Sequence, residues 1–528
     1  MSTFTLFALF AADIIVLVVL SGTTLWLVNR RRNMGACQLV AASIPVVAAI
    51  NLLVAYLMYR LIDDGSQQMQ DAQKSVSMCV FLASLCITYL LIRRKLGASS
   101  NRAFLLTLGL LAAHVAWSLV IAMGIMRPVL IEAFVIPTAG VAPTFYGYHL
   151  QQSCDNCGYL VVASPVHRSF DGVAASPIPQ AVTLICPNCG DFLTLPAGSR
   201  LASGERLLAD KTRTPHRWDM LVFENPEARQ IRYIKRVVGL PSERVQIVDG
   251  EVVINGKVAT KVPSELGQPP VCDDLWFPLH DTRYIVKRMN PNGPRWMTGP
   301  RSDWRQAGAG WACEKSAEEP QQVLEYTGPI DSRLPYNQTT RSYHSWKPVG
   351  DVRLDLEVAS LTGEAEAALE IRRIIGSQTV AFVIKPDSTA GIQIDEQEAK
   401  LVSLPNALAG SLMRVSVRDG KAMLYQNERL VAMTNVPTRP DQTSSMPCLV
   451  NITANKCSIQ LDRIAIWRDI YFTTIGKMDD FSPAPGWVML GDNTDQSKDS
   501  RFFGRIPEDH YVGVAGWRYL PLSRWHSF

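Results

Sequence analysis

The sequence predicts a large, mainly β region behind an N-terminal four-helix transmembrane anchor, with a small cysteine-built module and an inserted β-sandwich within the β region. Three observations predict this. Four long apolar runs occupy residues 1–130. Beyond them the apolar segments are short and rich in β-branched residues, as in "LVVAS", "EVVING" and "IQLDRIAIW", with Asp-Gly and Asn-Gly pairs as punctuation. Two Cys-x-x-Cys pairs follow one another early in the β-rich part.

The apolar runs are Thr5–Val28, Cys37–Met58, Val76–Ile92 and Ala103–Met126. Each is near the roughly 20 residues that cross a bilayer as a helix. The first run has no basic segment ahead of it and three more runs behind it, which argues against a cleaved signal peptide. Arg30, Arg31 and Arg32 follow the first run, and Arg93, Arg94 and Lys95 follow the third. Positive loops stay in the cytoplasm. The expectation is therefore a multi-pass protein of the cytoplasmic membrane, with everything after Met126 on the outer face. Charged residues make up 19% of the 528 positions, below the roughly 25% of soluble domains. The net charge of +4 over this length gives no case for nucleic acid as a partner.

From Phe134 onward no long amphipathic helix is evident. Asp249-Gly250, Asn255-Gly256 and Asp419-Gly420 sit between apolar segments, the signature of tight hairpins. Two segments read as insertions. One holds the cysteine pairs, at about 150–195. The other, 272–472, opens with Trp276, Trp296, Trp304 and Trp311 and continues as alternating strands such as "VRLDLEV" and "TVAFVIK". Strands at this spacing predict a jelly-roll-like β-sandwich. Its tryptophans fit a packed core better than an exposed sugar- or peptide-binding face. The main β domain is then split into 131–271 and 473–528.

The cysteine pairs are "CDNCG", with Cys154 and Cys157, and "CPNCG", with Cys186 and Cys189. Four thiolates in two knuckles suit one tetrahedral structural Zn²⁺, a zinc ribbon. Disulfides are the competing assignment in an oxidising compartment; zinc is favoured because disulfides do not require paired knuckles. Cys272, Cys313, Cys448 and Cys457 are left for pairing within the inserted sandwich.

Four blocks carry chemistry: "FVIPTAGVAPT" at Phe134–Thr144, "SGERLLAD" with "RWDMLVF" between Ser203 and Phe223, "YIKRVVGLPSERVQI" at Tyr233–Ile247, and "MLGDNTDQSKDSRFFGRIP" at Met489–Pro507. In this order they resemble type I signal peptidases, the Ser–Lys endopeptidases that cleave signal peptides from exported preproteins. The resemblance covers roughly 131–142, 204–257 and 486–518. It implies a signal-peptidase-like β fold with Lys235 as general base, Ser497 orienting the lysine amine, Asp499 and Arg501 as a supporting pair, and Thr138 in the oxyanion hole. It also places the nucleophile position on Gly140, which has no side chain, and Ala139 and Val141 depart from the family pattern as well.

The chemistry behind that assignment is independent of the name. A serine hydroxyl needs a base to attack an amide. A lysine serves only if burial lowers its pKa from near 10.4. Strand alternation puts Lys235 and Arg236 on opposite faces, so one is expected buried and the other solvated. The expected function is a signal-peptidase-I-like protein impaired by the loss of its serine, with no catalytic cofactor. The alternative is a non-catalytic protein on the same frame that binds signal peptides or an envelope ligand, or assists an active relative.

Overall fold

The computed structural model describes residues 98–121, 130–165, 177–288, 295–300, 302–314, 321–339, 346–437 and 446–528, with single positions such as Cys86, Asn290 and Gly293 between them. The body is mainly β, as the short β-branched segments predict. The anchor is corrected. Among the described residues no helix is long and apolar enough to cross a membrane. This overturns the four-helix transmembrane anchor and the multi-pass placement with an outer-face C-terminal region. The first two apolar runs and nearly all of the third lie outside the described residues. The fourth, as far as Ile121, lies in the helix Ser100–Ile121, which also takes in Ser100, Asn101 and Arg102; the rest of it is outside the described residues. Apolar length is necessary for a spanning helix and not sufficient; on this helix Phe104, Leu105 and Leu108 are exposed.

The chain divides into two compact units. One comprises 1–134, 206–214 and 512–528. It holds the helix and a sheet in which Arg206–Asp210 lies between Ile131–Val135 and the long strand Tyr511–Leu520. Lys211 and Glu132 pair at 2.7 Å on it. The other unit, 135–205 with 215–511, carries every candidate functional residue.

In that second unit Ala228–Gly239 is flanked by Met220–Asn225 on one side and Val488–Leu490 on the other. A smaller antiparallel sheet runs Lys257–Val258, Glu251–Ile254, Val245–Val248, Asp480–Phe481. All three predicted hairpin pairs have left-handed backbone at both central residues: φ is 48° and 87° at Asp249-Gly250, 50° and 81° at Asn255-Gly256, and 49° and 71° at Asp419-Gly420. The partners Val248↔Glu251, Ile254↔Lys257 and Arg418↔Lys421 close two-residue turns, whose twist matches that of paired strands. Asn427-Glu428 makes a fourth such turn without a glycine to advertise it.

Residues 276–469 form a larger β structure around two long strands, Val352–Ile375 and Cys448–Asp469, paired antiparallel for most of their length. The first half of Val352–Ile375 pairs on its other edge with Ser411–Arg418, and the second half with Gln378–Ile384. Both halves feed one apolar core that includes Leu354, Val415, Leu424, Ile371, Phe382 and Ile452. Trp276, Trp296 and Trp304 are buried. Cys272, Cys313, Cys448 and Cys457 are free thiols, so the pairing left open by the sequence does not form.

Candidate active site

The site is assembled from three stretches of backbone, each held by its own glycines and hydrogen bonds. The first is the loop carrying Gly140. Ile136 N–H donates to the Glu205 carbonyl at 2.9 Å, Phe145 N–H to Val141 at 3.0 Å, and Ala142 N–H to Ala139 at 3.1 Å. The Glu205 carboxylate accepts from Tyr146 N–H at 2.9 Å. Gly147 packs so closely that a Cβ there would lie 2.5 Å from the Thr138 carbonyl. The loop is therefore fixed by backbone contacts that a larger residue would break.

The second stretch is the strand Ala228–Gly239. Lys235 is paired across to Leu221 and buried at 6% exposure. Burial pushes its ammonium down to about 8; the Asp499 and Asp492 carboxylates oppose that fall and Arg501 adds to it. The expectation that Lys235 and Arg236 would differ in exposure is corrected. Arg236 is buried too, at 2%. Its guanidinium grips Asp492 through Nε–Oδ1 at 2.9 Å and Nη2–Oδ2 at 2.7 Å, reaches Asp274 at 2.5 Å, and donates to the Trp218 carbonyl at 2.7 Å. The near-continuous apolar run around "RVVGL" was the available signal, since a strand buried on both faces loses its alternation.

The third stretch is the loop from Gly491 to Arg501. Asp499 and Arg501 are fully buried and pair through Nε–Oδ1 at 2.9 Å and Nη2–Oδ2 at 2.8 Å. Asp499 also accepts from Gly491 N–H at 2.9 Å and caps the short helix Ser500–Phe503 through Arg501 N–H. Asp492 accepts from Thr144 Oγ1 at 2.5 Å, and Asn493 Nδ2 donates to the Ala139 carbonyl at 3.0 Å. These two contacts tie the third stretch to the first. Gly491 completes the junction: a Cβ there would sit 2.2 Å from the Gly140 carbonyl oxygen and 2.1 Å from Ser497 Oγ.

The three stretches meet at Gly140. A Cβ built on it would lie 2.9 Å from Lys235 Nζ and 3.7 Å from Ser497 Oγ. Ser497 is buried, and its Oγ has no hydrogen-bond partner among the described residues. Gly140 does not adopt the left-handed backbone that requires glycine. The close neighbour is the free end of a lysine, which can swing aside. A serine therefore fits here without backbone strain. The structure thus brings Gly140, Lys235, Ser497, Asp499 and Arg501 together. Thr138 lies two residues upstream on the same loop, half-buried, its backbone packed on Gly147.

Two features escape sequence reading. Asn337, from within the segment read as the inserted sandwich, exchanges hydrogen bonds with Asn493 at 2.7 and 2.9 Å. The Asn in each cysteine knuckle is also an anchor. Asn156 Nδ2 donates to the Arg288 carbonyl at 2.8 Å and its Oδ1 accepts from Arg288 N–H at 2.7 Å. Asn188 Oδ1 accepts from Asp281 N–H at 2.8 Å. The repeated Asn of "CDNCG" and "CPNCG" was the visible trace of this docking.

The four knuckle thiols converge in a buried cluster, their sulfurs all within 4.8 Å of one another. Cys154 and Cys189 Sγ are 3.7 Å apart, and Cys157 and Cys186 Sγ 3.6 Å. A tetrahedral Zn²⁺ with bonds of about 2.3 Å spaces its sulfurs by about 3.8 Å. Gly158 and Gly190, at φ 76° and 75°, let each knuckle turn back so that its N–H bonds the first cysteine's carbonyl, at 2.7 and 2.8 Å. The donor set fits zinc.

The family model described as "Signal peptidase, peptidase S26" matches residues 195–270 and 421–520. These segments include Lys235, Ser497, Asp499 and Arg501, and not Gly140. Signal peptidase I of Rickettsia bellii (strain OSU 85-389) is 42% identical over 52 residues, 10% of this chain and 18% of that protein. Signal peptidase I of Rickettsia typhi is 40% identical over 58 residues, 11% and 22% of the two chains. The match thus spans about a fifth of the length of these relatives. Among solved structures, the Emp46p carbohydrate recognition domain aligns with 33% of this chain and 88% of its own at TM-score 0.25 and 8% identity. Bacillus licheniformis beta-glucanase aligns with 34% and 94% at TM-score 0.24 and 6% identity. Likeness at that level carries no argument. The matched segments carry the lysine and the loop that encloses it, and over them the chain is similar to type I signal peptidases.

Proposed function

We propose that this chain is a signal-peptidase-I-like endopeptidase frame for exported preproteins or signal peptides, impaired in cleavage because its nucleophile position is Gly140. One observation carries the reading: the 2.9 Å between a Cβ at Gly140 and Lys235 Nζ, the place where a serine side chain would meet its base. In this reading Lys235 is the general base and Ser497 orients it. Asp499 and Arg501 hold the enclosing loop. Thr138 and the Gly140 N–H serve the oxyanion. With serine at 140, Oγ would bond to the scissile carbonyl carbon as its proton passed to Nζ, and the ammonium would return that proton to the leaving amine. The native chain has no atom to form the bond, so binding and partial oxyanion stabilisation remain.

The test is processing of a preprotein by the purified full chain beside Gly140→Ser. Cleavage by Gly140→Ser alone, abolished on adding Lys235→Met, is the expected result. No cleavage by Gly140→Ser overturns the frame, and native cleavage that disappears with Lys235→Met overturns the impairment. A non-catalytic peptide-binding role is the second reading, favoured by the glycine itself, and predicts saturable binding of a signal peptide by the native chain without turnover.

Cys154, Cys157, Cys186 and Cys189 would hold a structural Zn²⁺, which braces the knuckles and leaves no open position for chemistry. Metal analysis should find about one zinc per chain, lost in Cys157→Ser. No zinc with all four thiols protected from alkylation would reject the site.

A further inference from the structure

The Lys235 amine is held against a residue that has no side chain to engage it. A carbon at the Cβ position of residue 140 lies 2.9 Å from Lys235 Nζ, 3.7 Å from Ser497 Oγ and 3.9 Å from Ser497 Cα, its three nearest atoms. Reacting atoms meet at roughly 3–3.5 Å, so a ligand carbon at this point stands within reach of the amine. Lys235 Nζ forms no hydrogen bond or ion pair among the described residues. Ser497 Oγ, which is buried, has no partner among them either. A carbonyl oxygen about 1.2 Å beyond the ligand carbon comes within hydrogen-bond reach of that hydroxyl.

The surroundings decide which carbonyl. Ala139, Val141 and Ala142 beside Gly140 are buried, and Lys235 is only 6% exposed, so the approach admits a short molecule. Arg236 and Arg501 are spent on Asp492 and Asp499, so neither takes a carboxylate, and a neutral ligand is favoured over a keto acid. An aldehyde, unlike an amide, accepts an amine without a leaving group to activate. Burial brings the ammonium down to about 8, so about a tenth of it is the neutral amine at pH 7. Desolvated lysines of this kind are the ones that form Schiff bases.

We propose that the native chain uses Lys235 as a nucleophile toward a short neutral aldehyde seated where residue 140 lacks a side chain. Nζ bonds to the aldehyde carbon, the carbonyl π pair moves to oxygen, and that oxygen takes the proton released by nitrogen. The product is a carbinolamine, with Ser497 Oγ beside its hydroxyl. Departure of that hydroxyl with the remaining nitrogen proton, as water, leaves an imine. The proposal shares with the peptidase-frame reading the placement of Lys235 against Gly140, and it concerns the glycine chain rather than a serine variant.

The experiment treats the full chain at pH 7 with propionaldehyde and sodium cyanoborohydride and follows N-propylation of each lysine by tryptic mass spectrometry. Lys257, which is exposed, is the internal reference. Lys235 should react at least roughly tenfold faster than Lys257, because far more of it is neutral. Gly140→Ala places a methyl 2.9 Å from Nζ and should bring Lys235 down to the Lys257 rate or below, with an unchanged circular dichroism spectrum. Lys235 reacting no faster than Lys257 in the native chain overturns the proposal, as does undiminished reaction in Gly140→Ala. A Lys235-to-Lys257 ratio higher with glyoxylate than with propionaldehyde also overturns it, since the ligand would then be an anion. Preprotein cleavage by Gly140→Ser separates the two readings. If that variant cleaves and the native Lys235 is not selectively labelled, the aldehyde site falls and the frame stands. If it is inert and Lys235 is selectively labelled, the frame falls and the aldehyde site stands.

Discussion

Lys235 and Lys261 are both buried lysines of the same compact unit, and they are driven in opposite directions. Lys261 has its Nζ 2.6 Å from Asp419 and 3.2 Å from both Glu251 and Asp469. Burial alone would lower it, but the Asp469, Glu251 and Asp419 carboxylates override that and hold it well above the ordinary lysine range. Lys235 has Asp499 and Asp492 nearby, yet those carboxylates are already gripped by Arg501 and Arg236, and burial brings it down to about 8. The contrast teaches that burial does not by itself make a base. A buried lysine becomes one when the neighbouring carboxylates are spent on arginines. Asp499–Arg501 and Asp492–Arg236 thus shape the loop and also withhold negative charge from the amine.

The comparison can be broken in four ways. In the Gly140→Ser background, Lys235→Met should lower preprotein cleavage by roughly a thousandfold or more, as loss of a base that works with its nucleophile does; single-turnover assays would show it. Lys261→Met in the native chain should cost about 3–5 kcal/mol, because it strands buried carboxylates. Lys235→Met should be neutral or stabilising at pH 7, since it removes a poorly paired buried charge. Urea midpoints for the two variants decide this, and equal losses would erase the distinction. Next, Ser497→Ala in Gly140→Ser should reduce kcat by roughly ten- to a hundredfold with KM unchanged, the scale of a misplaced reacting group.

The smallest effect is in pH. With Lys235 near 8, Gly140→Ser activity should rise about tenfold from pH 7 to pH 9 as the amine loses its proton. The stability sign follows from the same shift. Between about 8 and 10.5 the unfolded chain holds more protons on this lysine than the folded one, so its contribution to stability increases with pH across that window. Lys261, shifted upward, contributes stability that is complete below 10.5 and is lost as pH rises through its folded value. Lys235→Met should flatten the first trend and leave the second.

Much of this was legible in the residues. The hairpins at Asp249-Gly250, Asn255-Gly256 and Asp419-Gly420 announced themselves because only a few residue pairs accept left-handed backbone twice in succession. Lys235 and Gly140 could be singled out by the resemblance of the blocks that carry them, and the four thiols by their Cys-x-x-Cys spacing. What stayed hidden depends on contacts between distant segments. The apolar run around Arg236 hinted at its burial, but its partners Asp492 and Asp274 are not revealed by its own strand pattern. The transmembrane expectation failed because apolar length is necessary for a spanning helix and not sufficient. Nothing in the sequence singles out Lys261; only the approach of Asp419 and Asp469 makes it an internal ion.

The amide pair between Asn337 and Asn493 has a consequence for anyone trimming the protein. Excising 272–472 to obtain a minimal hydrolase would delete the brace behind the turn that secures residue 139, so the shortened chain should lose registry between its loop and its lysine. The Gly140→Ser test of the proposed reading therefore belongs in the intact chain, not in a smaller scaffold.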